Sequence, residues 1–128
     1  MGARASTTAI LCLVSAMAWA SDATFKVNEK VALENSLTTA GADYDYALGT
    51  TLQSHPRFES GMTACLNQYP GDQSVHGYFE FSGPNAYKVV LEPQSDFSAC
   101  LAKSLEGFDV PEPPKIPYFN KFTFSTTQ

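Results

Sequence analysis

Between Val75 and Ser82 the chain alternates without a break: Val75, Gly77, Phe79 and Phe81 face one way, His76, Tyr78, Glu80 and Ser82 the other. Gly83-Pro84-Asn85 is turn chemistry, and Tyr87 to Glu92 alternates again with Tyr87, Val89 and Leu91 inward, so the two runs predict a β-hairpin. A third alternating run, Tyr118 to Ser125, puts Tyr118, Phe122 and Phe124 on one side and Phe119, Lys121 and Thr123 on the other. Two segments follow the helical period instead. From Pro56, a good first-turn residue after Ser54-His55, the residues Phe58, Met62, Cys65 and Leu66 share one face up to the Tyr69-Pro70-Gly71-Asp72 turn. From Asp96 to Glu106, behind the N-cap Ser95, the shared face is Phe97, Cys100, Leu101 and Leu105, with Gly107 as the stop.

The order from Pro56 is therefore helix, strand, strand, helix, strand, which predicts an α+β domain with both helices on one face of a three-stranded antiparallel sheet. A hairpin followed by a helical return makes the third strand antiparallel to the first, so the strand order is 2-1-3. Pro111 to Pro117 must be extended, because residues before proline avoid the α region, and it predicts a rigid crossing back to the sheet. Cys65 and Cys100 lie on the apolar faces of helices that must touch, which predicts a disulfide closing a 36-residue loop. Such a loop is worth about 4 kcal/mol on the chain-entropy argument. The expected core is Phe58, Met62, Phe79, Phe81, Val89, Leu91, Phe97, Leu101, Leu105, Phe122 and Phe124.

Upstream the pattern weakens. Asp43 to Ser54 reads as a helix with Tyr44, Leu48 and Leu52 in line, interrupted by Gly49. In residues 21–42, Phe25 and Val27 alternate as in a short strand, while Val31, Leu33 and Leu37 fit a strand or a loose helix; the segment is expected to be an N-terminal extension to a domain of residues 43–128. Residues 1–20 carry Arg4, an apolar run from Ala9 to Met17 and Ala18-Trp19-Ala20, the pattern of a cleaved secretory signal peptide. Cleavage removes Cys12 and predicts a periplasmic protein, in an oxidising compartment, without membrane insertion. Leu11 before Cys12 does not suit a lipidation signal.

Charge then excludes two partner classes. The chain carries −5, or −6 once Arg4 is gone, with no basic stripe, so neither nucleic acid nor an anionic membrane surface is an expected partner.

The segment Ser95-x-Phe97-x-x-Cys100-Leu101-x-x-x-Leu105-x-x-Phe108-x-Val110-Pro111-x-Pro113-Pro114 resembles the second half of TonB C-terminal-like domains of small periplasmic proteins, and the Cys65 helix with Phe79, Phe81 and the hairpin resembles the first half. The resemblance covers roughly Arg57 to Phe124 and rests on core and turn positions. It implies the same α+β fold and recognition of a peptide strand by the last strand. The membrane anchor and proline-rich spacer of energy transducers are not matched, and Tyr69-Pro70 follows the first helix where the family places it before.

No catalytic constellation is expected. His55 and His76 lack a carboxylate at a motif spacing, Ser60 and Ser98 lack an activating base, and Cys65, Cys100, His55 and His76 do not have zinc-motif spacing. Asp43-Tyr44-Asp45 is too short for a calcium loop. No metal or cofactor is expected. The leading expectation is a non-enzymatic accessory protein that binds an envelope or periplasmic protein through an open sheet face or an edge strand. Tyr78, Lys88, Phe119, Lys121 and Thr123 are its candidate contact residues, with pairing to an incoming strand starting near Phe119. The alternative is an inhibitor of a secreted or periplasmic hydrolase inserting Pro111 to Pro117; a small enzyme is the third reading.

Overall fold

The three alternating runs do become strands, and they order the rest of the chain around them. The computed structural model describes residues 8–127, with side chains from Asp22 onward. In chain order the elements are α1 (Thr8–Ser36), α2 (Thr39–Gln53), α3 (Pro56–Gln68), β1 (Ser74–Gly83), β2 (Ala86–Glu92), α4 (Asp96–Ser104) and β3 (Tyr118–Ser125). The sheet is antiparallel with β1 in the centre, order β2-β1-β3, pairing Phe79 with Val89 on one side and with Asn120 on the other. Asn85 makes the hairpin turn with φ of 56°, a conformation asparagine tolerates better than most residues.

One face of the sheet carries the main core. Phe79, Phe81, Val89, Leu91 and Tyr118 meet Phe97, Leu101 and Leu105 of α4, Cys65 of α3, and Tyr44, Leu48 and Leu52 of α2, all buried. Phe58, Met62, Phe122 and Phe124, expected inside, are only partly buried and pack against this core from its rim. Cys65 and Cys100 form the expected disulfide, Cα atoms 5.8 Å apart, tying α3 to α4. Gly77 has no room for a side chain: a Cβ there would meet the Val90 carbonyl oxygen at 1.9 Å.

Two expectations for the N-terminal third need correcting. Residues 21–36 are not a weakly patterned extension but the continuation of α1, and α2 starts at Thr39, four residues ahead of Asp43. Thr38 caps α2 by accepting from the Gly41 N–H. Second, the outer sheet face is not open. Helix α1 lies across it and buries Phe25 and Ala32 against Tyr78, with Val90 and Phe119 alongside. Three polar contacts pin the helix there: Asn28 donates to the Tyr78 hydroxyl (3.2 Å), Asn35 donates to the Phe119 carbonyl (3.0 Å), and Glu29 pairs with His76. The domain is thus three layers, α1 on one side of the sheet and α2, α3 and α4 on the other.

Arg4 of the expected signal peptide lies outside the described residues, as do the side chains of its apolar run; the backbone from Thr8 is helical and runs straight into the packed part of α1. No helix among the described residues is long and apolar enough to cross a membrane. That and the disulfide are compatible with an extracellular or periplasmic location.

Candidate functional site

Each strand edge is a row of backbone donors and acceptors that must be paired, covered or used. At β2 one outward backbone donor is taken, and hairpin side chains bond to the segment that ends and follows α4. The Glu106 carboxylate accepts from the Val89 N–H (3.4 Å), and the Tyr87 hydroxyl donates to the Leu105 carbonyl (2.8 Å) and accepts from the Phe108 N–H (3.2 Å). Asn85 accepts from the Val110 N–H at 2.8 Å, so the segment after α4 is stitched along the hairpin. Arg57 holds that segment from α3, its guanidinium 3.9 Å from the Phe108 ring centroid and bonded to the Glu106 carbonyl.

At β3 the edge is only partly occupied. Thr126 and Gln73 continue the β1–β3 ladder as a hydrogen-bonded pair, and such pairs alternate along antiparallel strands. Phe119, Lys121 and Thr123 therefore point their backbone N–H and C=O away from β1. Side-chain amides take two of these groups: Asn35 reaches the Phe119 carbonyl and Asn120 the Lys121 carbonyl (3.2 Å). The Lys121 and Thr123 N–H groups and the Thr123 carbonyl have no partner among the described residues.

Beside this edge runs a cleft of about 450 Å³ between α2, α3 and β3. Leu48, Leu52, Phe58, Met62, Phe79, Phe122 and Phe124 give it an apolar floor; Asp45, Gln53, Asn120, Lys121 and Thr123 give it a polar rim. Asn120 is buried and donates to the Asp45 carboxylate at 2.9 Å, joining α2 to β3. Sequence reasoning passed over this residue, although an asparagine in the inward series Tyr118, Asn120, Phe122, Phe124 is the one polar break in that face.

The residues singled out from sequence are scattered by the fold. Tyr78 is 2% exposed beneath α1, and Phe119 is half-buried beside it. Lys88 sits exposed on β2, 3.7 Å from the Glu80 carboxylate. Lys121 and Thr123 come together at the cleft. Pro111 to Pro117 is held at its start, where the Tyr44 hydroxyl donates to the Pro111 carbonyl (2.7 Å), and is exposed from Pro114 on.

The titratable groups have structural employment. His55 caps α3 by accepting from the Arg57 N–H (3.1 Å) and turns its ring edge to Phe108; His76 pairs with Glu29 on the opposite face. Burial pushes the Tyr44, Tyr78, Tyr87 and Tyr118 hydroxyls above their ordinary range, with neighbouring Tyr118 adding to the effect at Tyr44 and Asp45 at Tyr118. The Tyr118 hydroxyl is buried without a hydrogen-bond partner among the described residues. No group of three or more His, Cys, Asp or Glu able to hold a metal ion occurs among the described residues. Among the described residues, the unpaired stretch of β3 beside the apolar floor of the cleft is suited to an extended ligand. Comparison with family models, with curated proteins and with solved structures finds no match to this chain.

Proposed function

We propose that this protein is a non-enzymatic periplasmic binding or accessory protein that captures a partner protein by adding one of its strands to the free edge of β3. The observation that carries the reading is the stretch of β3 edge at Lys121 and Thr123, whose outward N–H groups have no partner among the described residues and lie beside the cleft. Main-chain bonds supply affinity in this mode, and pockets for alternate side chains supply selection. Asn35 and Asn120 already occupy the Phe119 and Lys121 carbonyls, so pairing starts at the Lys121 N–H rather than at Phe119. The resemblance to TonB C-terminal-like domains points to the same strand.

The test is Thr123→Pro. Thr123 turns its N–H outward, so proline removes an edge donor without breaking the β1–β3 ladder. With an unchanged circular dichroism spectrum, the variant should lose the envelope proteins that the wild-type chain retains on a column. Equal retention by the folded variant overturns strand addition at β3.

A further inference from the structure

Phe58, Met62, Phe122 and Phe124 belong to the apolar faces of their elements, yet all four stay partly exposed, and all four line the cleft between α2, α3 and β3. At about 450 Å³ the cleft lies within the ~300–1,000 Å³ of small-molecule sites, which are mostly apolar with a few placed polar groups. Its two charged residues differ in employment. The Asp45 carboxylate takes the Asn120 amide at 2.9 Å, whereas Lys121 is exposed and has no ion pair among the described residues. The backbone at Lys121 leans the same way. Its N–H points outward without a partner among the described residues, while its carbonyl already accepts from Asn120 (3.2 Å). An N–H and an ammonium are open and the neighbouring acceptor is filled, so at Lys121 the rim offers hydrogen-bond donors alone.

We propose that this cleft binds a free medium-chain fatty acid, its carboxylate at the Lys121 N–H and ammonium and its acyl chain over Phe58, Met62, Phe122 and Phe124. The proposal does not rest on strand addition. A regular β-ladder asks an outward residue for both its N–H and its carbonyl, and at Lys121 only the first is open. A carboxylate carries acceptors only and asks for donors only. Bonds from an amide or an ammonium to an anion are the strong class, and burying the tail on the apolar floor adds to them. From Lys121 to Phe124, β3 covers about 10 Å at 3.3 Å per residue, room for an extended acyl chain to lie along the two phenylalanines. Phe58 and Met62 face it from α3, and a thioether adapts to a flexible chain. The acid comes as a monomer, because a chain of net charge −5 without a basic stripe has no pull toward an anionic bilayer.

Decanoate below its micelle concentration is the probe, with decanol and decylamine as head-group controls and acetate as the tail control. In nuclear magnetic resonance titrations, decanoate should shift the Lys121 amide together with the Met62 methyl. It should bind about tenfold more tightly than any of the three controls. Lys121→Gln keeps the backbone N–H and removes the charge; it should weaken decanoate about threefold and leave decanol unchanged. Met62→Glu puts a like charge under the tail and should abolish decanoate binding, with an unchanged circular dichroism spectrum. Should that variant misfold, the exposed Lys121→Gln decides the matter alone. Equal affinity for decanoate and decanol, or indifference to Lys121→Gln, overturns the proposal at its carboxylate. Acetate binding as tightly as decanoate, or decanoate shifts that miss Met62, overturns it at its tail. Sedimentation of the protein with phosphatidylglycerol vesicles overturns a free acid in favour of a lipid surface. Absence of decanoate binding by the wild-type chain overturns the proposal outright and leaves strand addition untouched.

Discussion

The two edges of the sheet are built from the same kind of strand and partly covered by different means. At β2 a carboxylate, a tyrosine hydroxyl and an asparagine amide each reach a backbone group of the hairpin or of the segment beside it. At β3 two asparagine amides cover two carbonyls, and the groups of Lys121 and Thr123 beyond them are left beside a trough. At β2 the partners come from the end of α4 and the loop after it; at β3 they are single asparagine side chains. On the strand-addition proposal, the difference marks β3 as the edge that takes a partner.

The largest test of this contrast is the disulfide. Replacing Cys65 and Cys100 by alanine frees α4 from α3, and should lower unfolding free energy in urea by about 4 kcal/mol. Hydrogen exchange should then rise first at Val89, on the edge α4 protects. Faster exchange first at Thr123 would break the comparison. Alkaline titration asks how much both sides depend on neutral tyrosine. Tyr44, Tyr87 and Tyr118 in the main core, and Tyr78 under α1, have folded pKa values raised by burial above the unfolded value. Their contribution is complete below about pH 10 and is lost as pH rises through the folded values. Melting temperature should therefore fall above that point together with the onset of tyrosinate absorbance. A flat profile to the end of the titration contradicts the burial of these hydroxyls.

Smaller effects come from single bonds. Tyr87→Phe removes a donor to Leu105 and an acceptor for Phe108, costing about 1–3 kcal/mol in denaturant unfolding. Glu106→Gln weakens the cover over the Val89 N–H and should cost no more than about 1 kcal/mol, yet raise exchange at that amide. If neither substitution changes exchange along β2, that edge is not held shut by these side chains.

How much of this was legible in the sequence depends on whether the buried stripe is apolar. Phe79, Phe81, Val89 and Leu91 announce their strands because alternate side chains enter a greasy core, and Cys65 with Cys100 marks two helices that must meet. In α1 the sheet-facing stripe is Phe25, Asn28, Glu29, Ala32 and Asn35, so helical periodicity is written in hydrogen bonds as much as in hydrophobicity. Meanwhile Val27 and Leu33, 61% and 44% exposed, supply the misleading apolar signal. The candidate site divides the same way. Lys121 and Thr123 follow from strand order alone. The cleft needs Asn120 to find Asp45 across 75 residues, a pairing no local pattern describes.

The seat of α1 also sets a timetable. Asn35 and the Phe119 carbonyl that receives it are 84 residues apart, so α1 leaves the ribosome long before its platform exists. Until β3 is made and paired, Phe25 has no Phe119 beside Tyr78 to rest against, and the helix carries Phe25 without its full cover. Contacts this distant in sequence form late, and newborn chains with bare apolar surface depend on whatever shields them in the meantime. A message cut short before Tyr118 thus removes β3 and, with it, part of the seat of α1.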